Sequence, residues 1–280
     1  MEPLEDQTME IVRRDGRPAR FEAWPRWVRA RFGGEWVADS KRVQLLLEPK
    51  RLPVFYFPKE DVRSGLLVAS ERRGTSSRGP RSWWHVVAGD RQAENAAWSF
   101  DDPPAEAGFL AGYVAFYWDA MDAWFEEDEE VFVHPRDPYH RVDVAASSRH
   151  VRVILGGEVV ADTHRPHLLF ETGLPTRYYI PKLDVRTDLL EPTDTRTRCP
   201  YKGEAVYWSA RIPSESGDDR LFEDVAWSYP APIPECPKIE NLVCFFQEHA
   251  DAIEVDGEVQ PVPQTPWSRT RAPEKAPHKA

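Results

Sequence analysis

Apolar residues along this 280-residue chain fall in short runs, and few of the runs keep a helical period. Val28, Ala30 and Phe32 alternate with arginines, Gly33-Gly34 follows, and Trp36 and Ala38 resume the alternation. Paired glycines accept the positive φ that a tight hairpin turn needs, so this stretch predicts two antiparallel strands. Further runs of strand length lie at 45–47, 55–57, 86–87, 113–118 and 131–133, with proline and glycine between them. Helical spacing survives for a turn or two at 60–67, 184–190 and 239–245. The fold class predicted is mainly β: antiparallel sheets with a few short helices.

The same text is written twice. Val28-Arg-Ala-Arg-Phe-Gly-Gly-Glu-Trp-Val-Ala-Asp39 recurs as Val151-Arg-Val-Ile-Leu-Gly-Gly-Glu-Val-Val-Ala-Asp162, 123 positions later, and that displacement holds without a gap to Arg63 and Arg186. Of these 36 aligned positions 18 are identical, where background usage gives on the order of two. Ala97-Trp-Ser99 and Ala226-Trp-Ser228 continue the match at a displacement of 129, so loops vary while order is kept. The expected organisation is a flexible lead-in over 1–20, a first module over 21–144, a second over 145–267, and a disordered tail over 268–280. Ala145-Ala-Ser-Ser148 reads as a short joint between the modules.

With Tyr179-Tyr-Ile-Pro-Lys-Leu-Asp-Val-Arg186, Leu190-Glu-Pro-Thr-Asp194, Cys199-Pro-Tyr-Lys-Gly203 and Ala226-Trp-Ser-Tyr-Pro230, the second copy resembles the bacterial domain of unknown function 427. The resemblance spans about residues 24–262 as a tandem pair. It implies a β-tent fold, two antiparallel sheets pinned together at one end, and it brings a nucleotidyltransferase-type label. A nucleotidyltransferase needs carboxylates that hold magnesium against phosphates, with a glycine-rich or basic cradle. The glycine pairs of this chain sit in hairpin turns, and the paired Cys-x-x-Cys zinc motifs of other tent folds are missing from the sequence.

Composition narrows the classes. No stretch approaches the ~18 consecutive apolar residues of a membrane span, and 41% hydrophobic residues suit a packed globular protein. A formal charge of -11 disfavours nucleic acid as a partner. The acidic start Met1-Glu-Pro-Leu-Glu-Asp has no secretory pattern, and three cysteines form neither a disulfide framework nor a zinc set. A cytoplasmic monomer is expected, its two modules packed as a pseudo-dimer, with no cofactor.

Candidate chemistry gathers in the second copy. Cys199-Pro-Tyr-Lys-Gly203 has Ser77-Arg-Gly-Pro-Arg81 as its counterpart, so thiol and lysine belong to one copy alone; either a site or loop drift accounts for that. Tyr179, Tyr201, Tyr207, Trp208, Trp227 and Tyr229 offer an aromatic wall, with Lys202 and Arg186 orienting a small polar or nucleotide-like ligand. The same aromatic rings serve equally as core. Cys199 and Lys202 are the candidates for catalysis in a hydrolase or transferase, and Asp184, Asp188, Glu191, Asp194, Glu223 and Asp224 are the available acids and bases. An interaction scaffold without a pocket is the third reading. In the first copy, His134, Asp137 and His140 offer metal-ligand types at intervals of three; a rigid proline strap explains them as well, and no metal is assigned.

Overall fold

A computed structural model describes residues 9–12, 18–49, 51–213, 217 and 219–269. Most of the lead-in, residues 1–8 and 13–17, and the tail from 270 onward lie outside the described residues.

The chain divides into two units, one ending at Asp137 and the next starting at Pro138. In the first unit the strands are β1 Met9–Val12, β2 Pro18–Ala23, β3 Val28–Phe32, β4 Glu35–Ser40, β5 Gln44–Leu47 and β6 Val54–Pro58. They continue as β7 Leu67–Ser76, β8 Gly79–Ala88, β9 Arg91–Phe100, β10 Tyr113–Phe116, β11 Ala123–Glu126 and β12 Glu129–Val131. An eight-stranded sheet runs β1-β2-β5-β6-β10-β9-β8-β7, and a four-stranded sheet runs β12-β11-β3-β4.

The second unit repeats this with β13 Val142–Ala146, β14 Val151–Leu155, β15 Glu158–Thr163, β16 His167–Glu171, β17 Arg177–Ile180 and β18 Leu190–Cys199. Then come β19 Gly203–Ile212, β20 Arg220–Ser228, β21 Val243–Phe245, β22 Ala252–Val255 and β23 Glu258–Val259. Its sheets run β13-β16-β17-β21-β20-β19-β18 and β15-β14-β22-β23. Every pairing between these strands is antiparallel. The protein is mainly β, two tent-like modules in tandem. The stretches with helical spacing become 3-10 turns: Lys59–Asp61 and Ser64–Leu66, Lys182–Asp184 and Thr187–Leu189, and Pro237–Ile239.

The repeat starts earlier than its sequence identity. Ala23 pairs with Gln44 and Ala146 with His167, the same partners 123 positions apart. Strand β13 is therefore the counterpart of β2, and Ala145 and Ala146, read as part of a joint, are ladder residues of the second unit. Such an outermost strand needs only extended backbone and carries little of the apolar signature.

Each large sheet is covered on both faces. In the second unit Val151, Val153, Leu155, Ile180, Ala226, Val243 and Phe245 pack between the two sheets. Leu169, Tyr179, Ala205, Tyr207, Trp227, Tyr229 and Cys244 form a separate cluster on the outer face of the large sheet. Burial on both faces explains unbroken runs such as Phe55-Tyr56-Phe57 and Tyr178-Tyr179-Ile180.

Both hairpin turns carry positive φ, +58° and +84° at Gly33-Gly34 and +60° and +86° at Gly156-Gly157. Only the first glycine of each pair is also sterically confined: a Cβ on Gly156 would lie 2.9 Å from Ile212 Cγ2, whereas one on Gly157 would meet open space. Gly156→Ala should cost about 2–4 kcal/mol, combining the left-handed backbone with overpacking, and Gly157→Ala about 1–2 kcal/mol from the backbone alone. Denaturant unfolding checks this; equal losses would refute the packing argument.

Candidate functional site

Strand alternation decides which of the expected residues meet. Tyr207 stands opposite Trp227 and Trp208 opposite Ala226, so the two neighbours face opposite sides of the sheet. Tyr179, Tyr207, Trp227 and Tyr229 are buried together in the outer cluster. Trp208 packs instead against the core between the sheets. Trp227 Nε1 donates to Tyr179 Oη at 3.2 Å with the rings edge to face at 6.3 Å. The first unit repeats this pair with Trp98 and Tyr56 at 3.3 Å and 6.3 Å. Burial pushes the phenols of Tyr179 and Tyr229 well above their ordinary range, so they stay neutral. These four aromatics are shared framework and line no common concavity with Trp208.

The lysine loop is held by a buried ion pair. Gly203 takes φ +109° with the Ala231 carbonyl 3.2 Å from where its Cβ would be. Lys202 Nζ reaches Glu171 Oε2 at 2.5 Å, the two side chains 11% and 7% exposed. His140 Nε2 lies 3.0 Å from the other carboxylate oxygen of Glu171, and its ring stacks on Tyr201 at 4.3 Å. The first unit has the equivalent pair in Arg78 and Glu48. Glu48 and Glu171 stand 123 positions apart and Arg78 and Lys202 124, within the displacement of the repeat. The lysine therefore does not mark one copy alone: the cation is exchanged for arginine and the bond is kept. Comparing letters hid this, because lysine and arginine differ in the alignment but do the same work against a carboxylate.

The other expected groups are spoken for or apart. Arg186 is exposed and binds Asp188 at 2.7 Å. Asp184 accepts from Thr163 Oγ1 and Arg165, as Asp61 does from Ser40 and Arg42, so it is a latch common to both copies. The Arg165 and Arg42 guanidinium groups hold these two carboxyls below their ordinary range against a burial cost, with Thr163 and Ser40 hydroxyls helping. Thr193 and Thr195 hydroxyls both donate to Asp224 at 2.7 Å. Cys199 is part-buried at the end of β18, where the equally long β7 ends in Ser76. The fully buried thiol of Cys244 is pushed up to about 12 and that of Cys236 to about 11, both by burial. His134 and Asp137 belong to the first unit and His140 to the second; among the described residues no group of three or more His, Cys, Asp or Glu side chains could hold a metal ion. A first-unit cleft of about 510 Å³ is lined by Lys41, Arg42 and Tyr113 among others, and its Arg42 is already taken by Glu60 and Asp61.

On the Trp208 side of the sheet the copies differ in a polar network. In the first unit a polar chain is closed: Trp84 Nε1 donates to Ser99 Oγ at 3.2 Å, and Ser99 Oγ to Asp101 Oδ1 at 3.2 Å. Ser82 Oγ donates to Asp101 Oδ2 at 2.5 Å, and Lys59 Nζ lies 3.7 Å from Asp101. The Ser82 hydroxyl above all, with Ser99 and Lys59 helping, holds the Asp101 carboxyl below its ordinary range against burial.

In the second unit Trp208, Ser228 and Lys182 occupy the matching places, but Val206 stands for Ser82 and Pro230 for Asp101. The acceptor and the Ser82 donor are gone, and the serine and lysine donors remain. Ser228 is 0% exposed, and among the described residues its Oγ has no hydrogen-bond partner. Among the described residues Lys182 Nζ meets no carboxylate; it sits 5.9 Å from the centre of the Trp208 ring. Lys182 and Ser228 were missed in the sequence. The signal was present in Ala97-Trp-Ser-Phe-Asp101 against Ala226-Trp-Ser-Tyr-Pro230, but it names a missing group, visible only once the present group's partners are known.

The protein family described as Domain of unknown function (DUF427) matches the chain twice, over residues 20–127 and 143–256. No curated protein matches it. No helix among the described residues is long and apolar enough to cross a membrane.

Two substitutions separate framework from site. Lys202→Met strands the buried Glu171 carboxylate and should destabilise by about 3–5 kcal/mol, while Lys202→Arg, the first unit's own solution, should cost less than about 1 kcal/mol; unfolding curves with similar losses would contradict the shared role. Ser99→Ala breaks a made hydrogen bond and should lose about 1 kcal/mol, whereas Ser228→Ala removes an unpaired buried hydroxyl and should be neutral or stabilising. A loss of the same size at both serines would show that Ser228 is satisfied.

Proposed function

Because the chain belongs to the DUF427 family through two tandem copies of its domain, its function is sought where the copies differ, and we propose that it is a small-molecule binding protein. The second module binds a small polar molecule on the Trp208 side of its large sheet, and the first module serves as scaffold. The observation that carries this reading is the buried, unpartnered hydroxyl of Ser228 beside Lys182 and Trp208. A buried polar atom left without a partner costs about 1–3 kcal/mol, and an incoming acceptor recovers that cost. Two donors of different type beside one aromatic ring are the usual makings of a small ligand site: a few placed polar groups beside an apolar wall.

Binding is preferred to catalysis on chemical grounds. The Cys236 and Cys244 thiols are pushed up by burial and stay protonated at neutral pH. Pairing with Arg165, Arg186 and Arg211 holds the Asp184, Asp188 and Glu191 carboxyls below their ordinary range, which suits neither a general acid nor a base near neutrality. All three cysteines are free thiols, which supports a cytoplasmic setting, and the fused modules support a monomer.

Thermal shift is the direct test, with short-chain and aromatic carboxylates, inorganic phosphate, nucleoside monophosphates and neutral amides as the panel. At 100 times its dissociation constant a ligand stabilises by about 2.7 kcal/mol. At least one class should raise the melting temperature of the wild-type protein and fail to do so with Lys182→Ala, a change at an exposed side chain. A panel that shifts neither protein would sink the reading.

A further inference from the structure

The first unit already contains an occupant of the matching position, and it is a carboxylate. The Asp101 side chain takes hydrogen bonds from Ser82 and Ser99 and faces Lys59, while Ser99 in turn receives Trp84 Nε1. We infer that in the second unit this place is filled in trans: the ligand is a small carboxylic acid whose carboxylate stands where Asp101 stands in the first unit, bound by Ser228 Oγ and Lys182 Nζ against the ring of Trp208. The inference rests on the binding reading above and gives that ligand its chemical class.

Three features of the second unit fit a carboxylate from outside. Pro230, in the place of Asp101, carries no acceptor on its side chain and cannot close the site from within. Ser228 and Lys182 keep the residue types that a carboxylate uses in the first unit, although among the described residues the Ser228 hydroxyl has no partner and Lys182 meets only the Trp208 ring. Lys182 is exposed, and the contact over Trp208 is a weak tether for its long flexible chain, so it can swing aside to admit a ligand and fold back on it. Val206 in place of Ser82 then sets the ligand's shape. It removes the donor that acts most strongly on Asp101 and puts methyl groups beside the second carboxylate oxygen. An acid with an apolar body is favoured over one bearing further polar groups.

The duplication supplies the test, because each unit can be converted into the other. Benzoate is the probe, with benzamide as its neutral isostere and inorganic phosphate as a second anion, titrated calorimetrically at fixed ionic strength. Benzoate should bind the wild-type protein at one site, and benzamide at least about tenfold more weakly, the factor expected when a charge-assisted hydrogen bond is lost. Pro230→Asp rebuilds the internal carboxylate and should abolish benzoate binding, while Pro230→Asn should weaken it less. Asp101→Ala opens the first unit and should raise the stoichiometry from one site toward two. If Pro230→Asp fails to fold, Ser228→Ala and Lys182→Ala carry the same test by weakening benzoate at least about tenfold.

The inference is overturned if benzoate binds Pro230→Asp as well as it binds the wild type, or if Ser228→Ala and Lys182→Ala bind it unchanged. Binding of phosphate or benzamide in place of benzoate, lost in Lys182→Ala, overturns the carboxylate and leaves the binding site standing. No heat from any of the three probes, together with a flat thermal-shift panel, overturns both.

Discussion

A sheet covered on both faces has no idle side. Along β17, β21 and the buried end of β20, residues point alternately into the core between the sheets and toward the outer cluster. This alternation governs the second unit more than any single bond does. It sends Tyr207 and Trp227 outward together, turns Trp208 to the other side, and sets Ser228 diagonally from Trp208 on that same side. A group of aromatics that looks continuous in the sequence is thereby split between two environments. The outer set is packed around the Tyr179–Trp227 pair, and on the Trp208 side, among the described residues, the Ser228 hydroxyl stands without a partner.

The duplication works as an internal control on every other contact. The tyrosine–tryptophan pair, the aspartate latch at Asp61 and Asp184, and the ion pair across the hairpin loop occur in both units. A contact made twice, in copies whose loops have drifted, is maintained by the fold and carries no information about a ligand of one copy. By the same logic a contact network made in one copy, such as that around Asp101, is informative. Its loss in the second unit is confined to the acceptor and one donor, while the buried serine, the tryptophan and the lysine persist.

The fold was largely legible in the sequence, since glycine pairs in alternating runs and a gapless 123-residue displacement point to hairpins and to tandem modules. The edge strands were not legible. Val142–Ala146 is recognised by its backbone register against β16, and backbone register leaves almost no mark on residue type. For the site, sequence comparison singled out the Cys199–Gly203 loop of the second unit, but Lys202 has a working equivalent in Arg78, and the aromatics are mostly core. The informative positions, Asp101 and Pro230, lie in a segment where the neighbouring Trp-Ser pairs match and draw attention away from the difference.

One further difference separates the two sheets. In the first, β1 pairs along β2 and occupies the outer position, so the outward hydrogen-bonding groups of β2 are used within the chain. In the second, β13 is itself the outermost strand of its sheet. A row of unsatisfied amides and carbonyls on such a strand is a template for unwanted pairing between molecules. The second unit counters it with composition: β13 is only five residues long and carries the charge of Asp143, itself paired with Arg141. The sheet edge is thus extended in one half of the chain by an added strand, while in the other it is short and charged.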